Sequence, residues 1–190
     1  YLVVGAGAAG CVVSNRLSHT PNNSVICIEA GGKDTNFYIK IPAGFSKTVY
    51  DDKINWPYYT EETENTANRK IRFPRGKVVG GSSSINGHLY VRGQADDYDG
   101  WAQKGCLVWS WSDVLPYFMK AETRPEGNKS FRGKEGPLHI SDLTSPHPLA
   151  NLFIETAHSI GIKKNTDYNS GDQEGSFLYQ TMIKNSMRWS

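Results

Sequence analysis

Residues 1–10 read Tyr1-Leu2-Val3-Val4-Gly5-Ala6-Gly7-Ala8-Ala9-Gly10. A short apolar run meets a G-x-G-x-x-G turn, and a helical pattern follows at once. A second apolar run, Val25 to Ile28, closes on Glu29. Strand, glycine turn, helix, strand and acid, in that order, is an arrangement that holds an adenine dinucleotide. Gly5 turns the chain sharply out of the strand, Gly7 lets backbone approach a pyrophosphate, and Gly10 lets the helix pack closely on the sheet. The helix N-terminus adds unpaired N–H groups and the positive end of a dipole. Ala9, Val13 and Leu17 recur at helical spacing and are expected to face the sheet. Both apolar runs are continuous rather than alternating, as parallel strands covered on two sides require. Glu29 stands 19 positions after Gly10, near the spacing of about 20 at which an acid accepts from ribose hydroxyls. A glycine-rich βα turn without a ligand would leave Glu29 unexplained.

The composition narrows the classes. At 190 residues the chain has room for one domain, or one and part of another. Net charge is +2 and no basic run stands out, so nucleic acid is not indicated. No apolar stretch approaches the roughly 20 residues that span a bilayer; membrane association is possible but not indicated. Cys11, Cys27 and Cys106 cannot all pair and show no C-x-x-C spacing; small buried thiols in a reducing compartment are expected. No signal peptide is visible, and the compartment stays open between cytoplasm and the periphery of a membrane. The chain opens on a strand residue and closes at Arg188-Trp189-Ser190 without a terminating element. A doubly wound sheet needs more than two parallel strands, so the expectation is the N-terminal portion of a larger protein.

Further along, the long stretch from Gly31 to about Asn68 is expected to be irregular and functional, a lid or cofactor cover. Ser112 precedes Asp113-Val114-Leu115-Pro116 and predicts a capped helix with proline in its first turn. Thr123 to Pro137 reads as a loop, and Leu138-His139-Ile140 as a short strand. Pro148 opens a helix with Leu149, Leu152, Phe153, Ala157 and Ile160 on one face and Gly161 as its stop. Phe177 to Lys184 reads as a final strand. Of His19, His88, His139, His147 and His158, none has a partner at metal-ligand spacing, so no metal site is predicted. His88 alone falls in a segment suited to a cofactor.

That segment is Pro74-Arg75-Gly76-Lys77-Val78-Val79-Gly80-Gly81-Ser82-Ser83-Ser84-Ile85-Asn86-Gly87-His88-Leu89. Adjacent glycines permit close backbone approach, and three serines offer small hydrogen-bond donors to a polar planar ligand or a phosphate. It has neither the order of a P-loop nor a G-x-S-x-G elbow.

Taken together, the two glycine segments resemble the glucose–methanol–choline (GMC) oxidoreductase family. Val3 to Gly10 with Ile28-Glu29-Ala30-Gly31 resembles its N-terminal FAD fingerprint, and Pro74–Lys77 through Gly80–Gly87 its first signature. Trp111 to Phe118, Asp167-Tyr168-Asn169 and Gln173-Glu174-Gly175 resemble later stretches of its choline- and alkanol-dehydrogenase branch. The resemblance implies an α/β fold (α+β overall): a Rossmann-like βαβ unit with parallel sheet over residues 1–130, completed by later sequence, and the start of a separate substrate-binding domain over 131–190. It implies FAD rather than NAD. The cofactor-binding set is then Gly5, Gly7, Ala8, Ala9, Gly10, Glu29, Ala30, Arg75, Val78, Gly80, Gly81, Ser82, Asn86, Gly87, His88 and Leu89. Glu29 would take the ribose, the glycine turn the diphosphate, and Val78, Gly81, Ser82 and Asn86 to Leu89 the flavin half. Some members bond flavin covalently to a histidine just before the matching asparagine; Ile85 stands there, so non-covalent FAD is implied.

The implied activity is oxidation of an alcohol CH–OH group, of choline or an aliphatic or aromatic primary alcohol, with oxygen or a quinone as electron acceptor. The family's catalytic histidines lie near its C-terminus, so no residue of this chain is assigned as catalytic base. The alternatives are a non-redox flavoprotein of the same fold (hydroxynitrile lyase or photodecarboxylase type), a nicotinamide-dependent dehydrogenase, and a non-catalytic binding protein. Substrate, acceptor and oligomeric state stay open.

Overall fold

The computed structural model describes residues 1–189 and has a mixed α/β architecture that divides into two compact units. The first comprises Tyr1–His88 and Asn185–Arg188; the second comprises Leu89–Lys184 and Trp189.

In the first unit, β1 (Leu2–Val4) and β2 (Ile26–Ile28) pair in parallel, with Leu2 opposite Ile26, Val3 opposite Cys27 and Val4 opposite Ile28. Helix α1 (Ala8–Ser18) crosses between them, which is the expected βαβ unit. Its rotation differs from the expected one. A β-carbon at Gly10 would collide with the Gly5 carbonyl oxygen and lie 3.6 Å from Val3 Cγ1, so Gly10 is the residue pressed on the strands. The sheet-facing line is therefore Gly10, Ser14 and Leu17; Ala9 and Val13 turn away and are exposed. The strand faces are largely uncovered within these residues, with Val4 82% and Ile26 63% exposed. For the same reason Cys11 and Cys27 are exposed, as is Cys106, rather than buried.

The stretch after β2 is more ordered than its composition suggests. It holds α2 (Phe37–Lys40), a 3-10 turn at Pro42–Gly44, α3 (Phe45–Thr48) and β3 (Asn55–Trp56), which pairs antiparallel with β4 (Arg75–Gly76). Asn55 is buried and its side-chain amide donates to the Thr48 and Asp51 carbonyls at 2.6 and 2.8 Å, which closes the turn that follows α3. Ile39 and Val78 supply the apolar core.

The second unit begins with β5 (Leu89–Tyr90), continues through α4 (Ala95–Gln103), α5 (Trp111–Ala121), β6 (Glu122–Thr123), β7 (Leu138–His139) and α6 (Pro148–Ser159), and returns as β8 (Gln180–Thr181), antiparallel to β5. Strands β6 and β7 pair in parallel. Helices α4 and α5 meet through aromatic rings: Tyr98 lies 5.6 Å from Trp111 and 5.8 Å from Phe118. The α5 cap is Ser110, not Ser112. Ser110 accepts from Asp113 N in a capping box, and Pro116 consequently falls inside the helix, past its first turn.

Two more expectations are corrected here. Helix α6 buries Ile154 and Ala157, whereas Leu149, Leu152, Phe153 and Ile160 are exposed. The run Phe177–Lys184 forms not one strand but two short ones, β8 and β9 (Ile183–Lys184). The final two-residue strand, β10 (Met187–Arg188), belongs to the first unit. The core of the second unit is heavily charged. Glu122 receives Arg132 Nε at 2.8 Å and Nη2 at 3.0 Å, and all three partners of the cluster, Arg92, Glu122 and Arg132, are buried. Arg92 Nη2 lies 2.9 Å from the same carboxylate, a close ion pair without hydrogen-bond alignment. Arg132 also donates to Asp167 and Gln180, at 2.6 and 2.7 Å. Arg132 thus anchors the segment 123–137, which is irregular but not loose.

Candidate functional site

The first unit brings together the two glycine segments that lie some 70 residues apart in sequence. Gly80 N donates to the Ala6 carbonyl at 2.7 Å, and Gly7 bridges Gly80 in parallel register. Gly81, at φ +57°, faces Gly7 backbone to backbone; a β-carbon on Gly81 would stand 2.9 Å from Gly7 Cα. Side chains are thereby excluded from the floor of the site, which is built from main chain. Gly31 belongs to the same closure, since a β-carbon there would collide with the Lys77 carbonyl, and Gly32 bridges Val78.

Around this floor the donors point to an anion. Gly7 is the N-cap of α1 with no side-chain cap and no acid in the first turn, so Ala8, Ala9 and Gly10 begin a helix whose first N–H groups lack intrahelical partners. These are the donors that bind diphosphate in a fold of this kind. Gly5, at φ +94°, turns the chain into the cap, and its N–H donates to the Ile28 carbonyl at 2.7 Å. Glu29 is half-buried, and its carboxylate accepts from Ala6 N at 2.7 Å and from Gly31 N at 2.8 Å. A carboxylate has about four acceptor positions, so Glu29 ties the first glycine turn to the Gly31 backbone and still has lone pairs for hydroxyl groups. Ala30 is exposed beside it.

The remaining candidates have distinct placements. Val78 is fully buried and contributes only its backbone. Arg75 is exposed, lies 3.7 Å from the Phe73 ring centroid, and donates to the Pro74 carbonyl. Of the three serines only Ser82 is free to donate outward: it accepts from Gly76 N, whereas Ser83 and Ser84 donate to the Gly80 and Val79 carbonyls. Asn86 Oδ1 accepts from His88 N at 3.1 Å, which shapes the turn through Gly87. His88 is buried at φ +65°, edge-on to Phe45, and its Nε2 has no partner. Burial first, and the Arg188 charge second, push its pKa below the ordinary 6.5, so the imidazole is neutral at pH 7. Leu89 opens β5 of the second unit, half-exposed and opposite Thr181.

Motif reading missed one residue of this unit, Arg188. It is buried, and its guanidinium donates to the Ile39, Ser83 and Asn86 carbonyls and to Asn86 Oδ1, at 2.6–2.8 Å. Its acceptors lie 102 to 149 positions earlier, so no local pattern marks it. Among the described residues no cluster of three or more His, Cys, Asp or Glu side chains is placed to hold a metal, and no helix is long and apolar enough to cross a membrane.

A parallel βαβ unit with a bare glycine floor, an uncapped helix start and an acid at the end of β2 defines a dinucleotide-binding region. The GMC oxidoreductase family model matches residues 1–190, and the chain belongs to that family. An oxygen-dependent choline dehydrogenase of Sinorhizobium fredii is 42% identical over 190 residues, all of this chain and 35% of that protein. The mitochondrial choline dehydrogenase of Mus musculus is 40% identical over 197 aligned residues, all of this chain and 33% of that protein. Among solved structures, pyridoxine 4-oxidase from Mesorbium loti superposes with TM-score 0.93 at 34% identity, over 98% of this chain and 37% of that one. The chain therefore spans about a third of the length of the relatives it matches.

Proposed function

We propose that this chain is the cofactor-binding portion of an FAD-dependent oxidoreductase that acts on an alcohol CH–OH group, choline or an aliphatic or aromatic primary alcohol. The observation that carries the reading is the meeting of the two glycine turns, with Gly80 N on Ala6 O at 2.7 Å and Gly81 against Gly7. A main-chain floor bounded by helix N–H groups and one acid fits a diphosphate flanked by a ribose. Residues 1–130 are read as the FAD-binding part and 131–190 as the start of a substrate-binding domain; the greater length of the relatives supports a protein completed elsewhere in sequence.

Bound FAD would supply the electron-accepting group that alcohol oxidation requires. The chain's own residues bind and orient it. Ala8, Ala9 and Gly10 present N–H groups to the diphosphate, Glu29 accepts from ribose hydroxyls, and Gly81, Ser82, Asn86, Gly87 and His88 border the flavin half. Ile85 offers no nucleophilic atom, which favours non-covalent binding. The likeness to choline dehydrogenases supports an alcohol substrate, with oxygen or a quinone as acceptor.

The test is anaerobic. The full-length protein, purified with its flavin, is mixed with choline and with a panel of primary alcohols, and the visible flavin band is followed. Bleaching by one of them without added nicotinamide is the expected result. A flavin that stays oxidised with every alcohol contradicts the redox assignment, and absence of flavin contradicts the whole reading.

A further inference from the structure

Arg188 is a buried cation with no anionic partner among the described residues. Its four acceptors, the carbonyls of Ile39, Ser83 and Asn86 and the Asn86 side-chain oxygen, are all neutral. None of the ion pairs among the described residues includes it. Burial pushes its pKa down only to about 10, so it stays charged at neutral pH. A guanidinium so placed forgoes water for directed bonds to neutral oxygens, a costly arrangement unless the charge or the geometry is used.

Both are directed at one turn. Three of the four bonds end on Ser83 and Asn86, which flank Ser84 and Ile85 and lead into Gly87 and His88. The fourth holds Ile39 of α2, and Thr48 of α3 reaches the Ile85 carbonyl at 3.4 Å. The Asn86 side chain is fixed from two sides, by Arg188 Nη1 at 2.8 Å and by His88 N at 3.1 Å. The planar fork of arginine suits this task, because one rigid group can meet several acceptors at set angles; lysine cannot. We propose that Arg188 is a positioning residue for the flavin-facing turn, Ser83 to His88, and that its charge, met only by neutral acceptors among the described residues, favours the more negative, reduced form of the bound cofactor. This rests on the FAD reading above.

Two variants of the full-length protein separate the effects. Arg188→Lys keeps the charge and loses most of the directed bonds; Arg188→Gln keeps donors and loses the charge. The readouts are the FAD dissociation constant and the reduction potential of the bound flavin, with thermal melts of the apoproteins as a control. Arg188→Lys is expected to weaken FAD binding about tenfold or more while leaving the potential near that of the wild type. Arg188→Gln is expected to lower the potential. If only one variant folds, it decides alone, the lysine by affinity and the glutamine by potential. Affinity and potential both unmoved, with only the melting temperature lowered, would show a purely structural arginine and overturn the proposal. Wild-type protein without flavin removes the reading on which the proposal rests.

Discussion

His88 and Glu122 show how single buried groups couple chemistry to stability. His88 has a folded-state pKa below 6.5, set by burial and by the Arg188 charge. Between that lowered value and 6.5 the unfolded chain binds more protons than the folded one, so stability is lost as pH falls through this window, and the contribution of His88 is level above and below it. Denaturant midpoints of the full-length protein across an acid pH series should show this slope. His88→Asn, whose residue type tolerates a positive φ, should flatten it; an unchanged slope would assign the acid sensitivity to other groups. Glu122 is the one carboxylate that both Arg92 and Arg132 meet at 3.0 Å or less. Removing it leaves buried Arg92 without an acidic partner among the described residues and Arg132 with Asp167 alone, and Glu122→Ala is expected to cost about 3–5 kcal/mol, read as a lower denaturant midpoint at constant m-value. A loss under about 1 kcal/mol would mean that water or Asp167 compensates the charges.

Among elements, α1 carries a tight steric constraint at the site. Gly10→Ala places a β-carbon on the Gly5 carbonyl oxygen, so the helix must lift off β1 and β2. About 1–3 kcal/mol of destabilisation is expected, together with loss of the yellow colour, because the same turn forms the floor of the site. Full retention of flavin in this variant would show that the turn does not contact it. The order β1, turn, α1, β2 was legible in sequence because each part has its own local signal: continuous apolar runs, a spaced glycine triplet, an acid at the strand end. The rotation of α1 was legible only in part: the glycine spacing put Gly10 against the sheet, but the apolar periodicity of Ala9, Val13 and Leu17 pointed to a neighbouring face, and the Gly5–Gly10 contact shows that the glycine prevails. The α5 cap slipped by two residues for a similar reason: Ser110 and Ser112 both precede Asp113, but only Ser110 stands three positions before it and so completes the capping box. Arg92, Arg132 and Arg188 were invisible as core residues. Charged side chains enter a core only when distant acceptors meet them, and apart from the Tyr90 hydroxyl beside Arg92 those acceptors lie 10 to 149 positions away.

Across the whole molecule, apolar surface and chain length tell the same story. Val4, Ile26 and Ile28 of the strand pair are more than half exposed, as are Leu149, Leu152 and Phe153 of α6 and Ile160 at its C-terminal cap. A polypeptide limited to residues 1–190 is accordingly expected to lack a cooperative thermal transition; a sharp melt with flavin bound would show that these faces need no cover. The GMC oxidoreductase match over all 190 residues agrees with relatives about three times as long. The most direct measurement is of the flavin itself. Full-length protein, purified and then denatured by heat or acid, should release FAD into the supernatant at one equivalent per chain, and Gly81→Ala should release far less. A colourless wild-type protein, or a Gly81→Ala protein that holds its full equivalent of FAD, would contradict a cofactor seated on the two glycine turns.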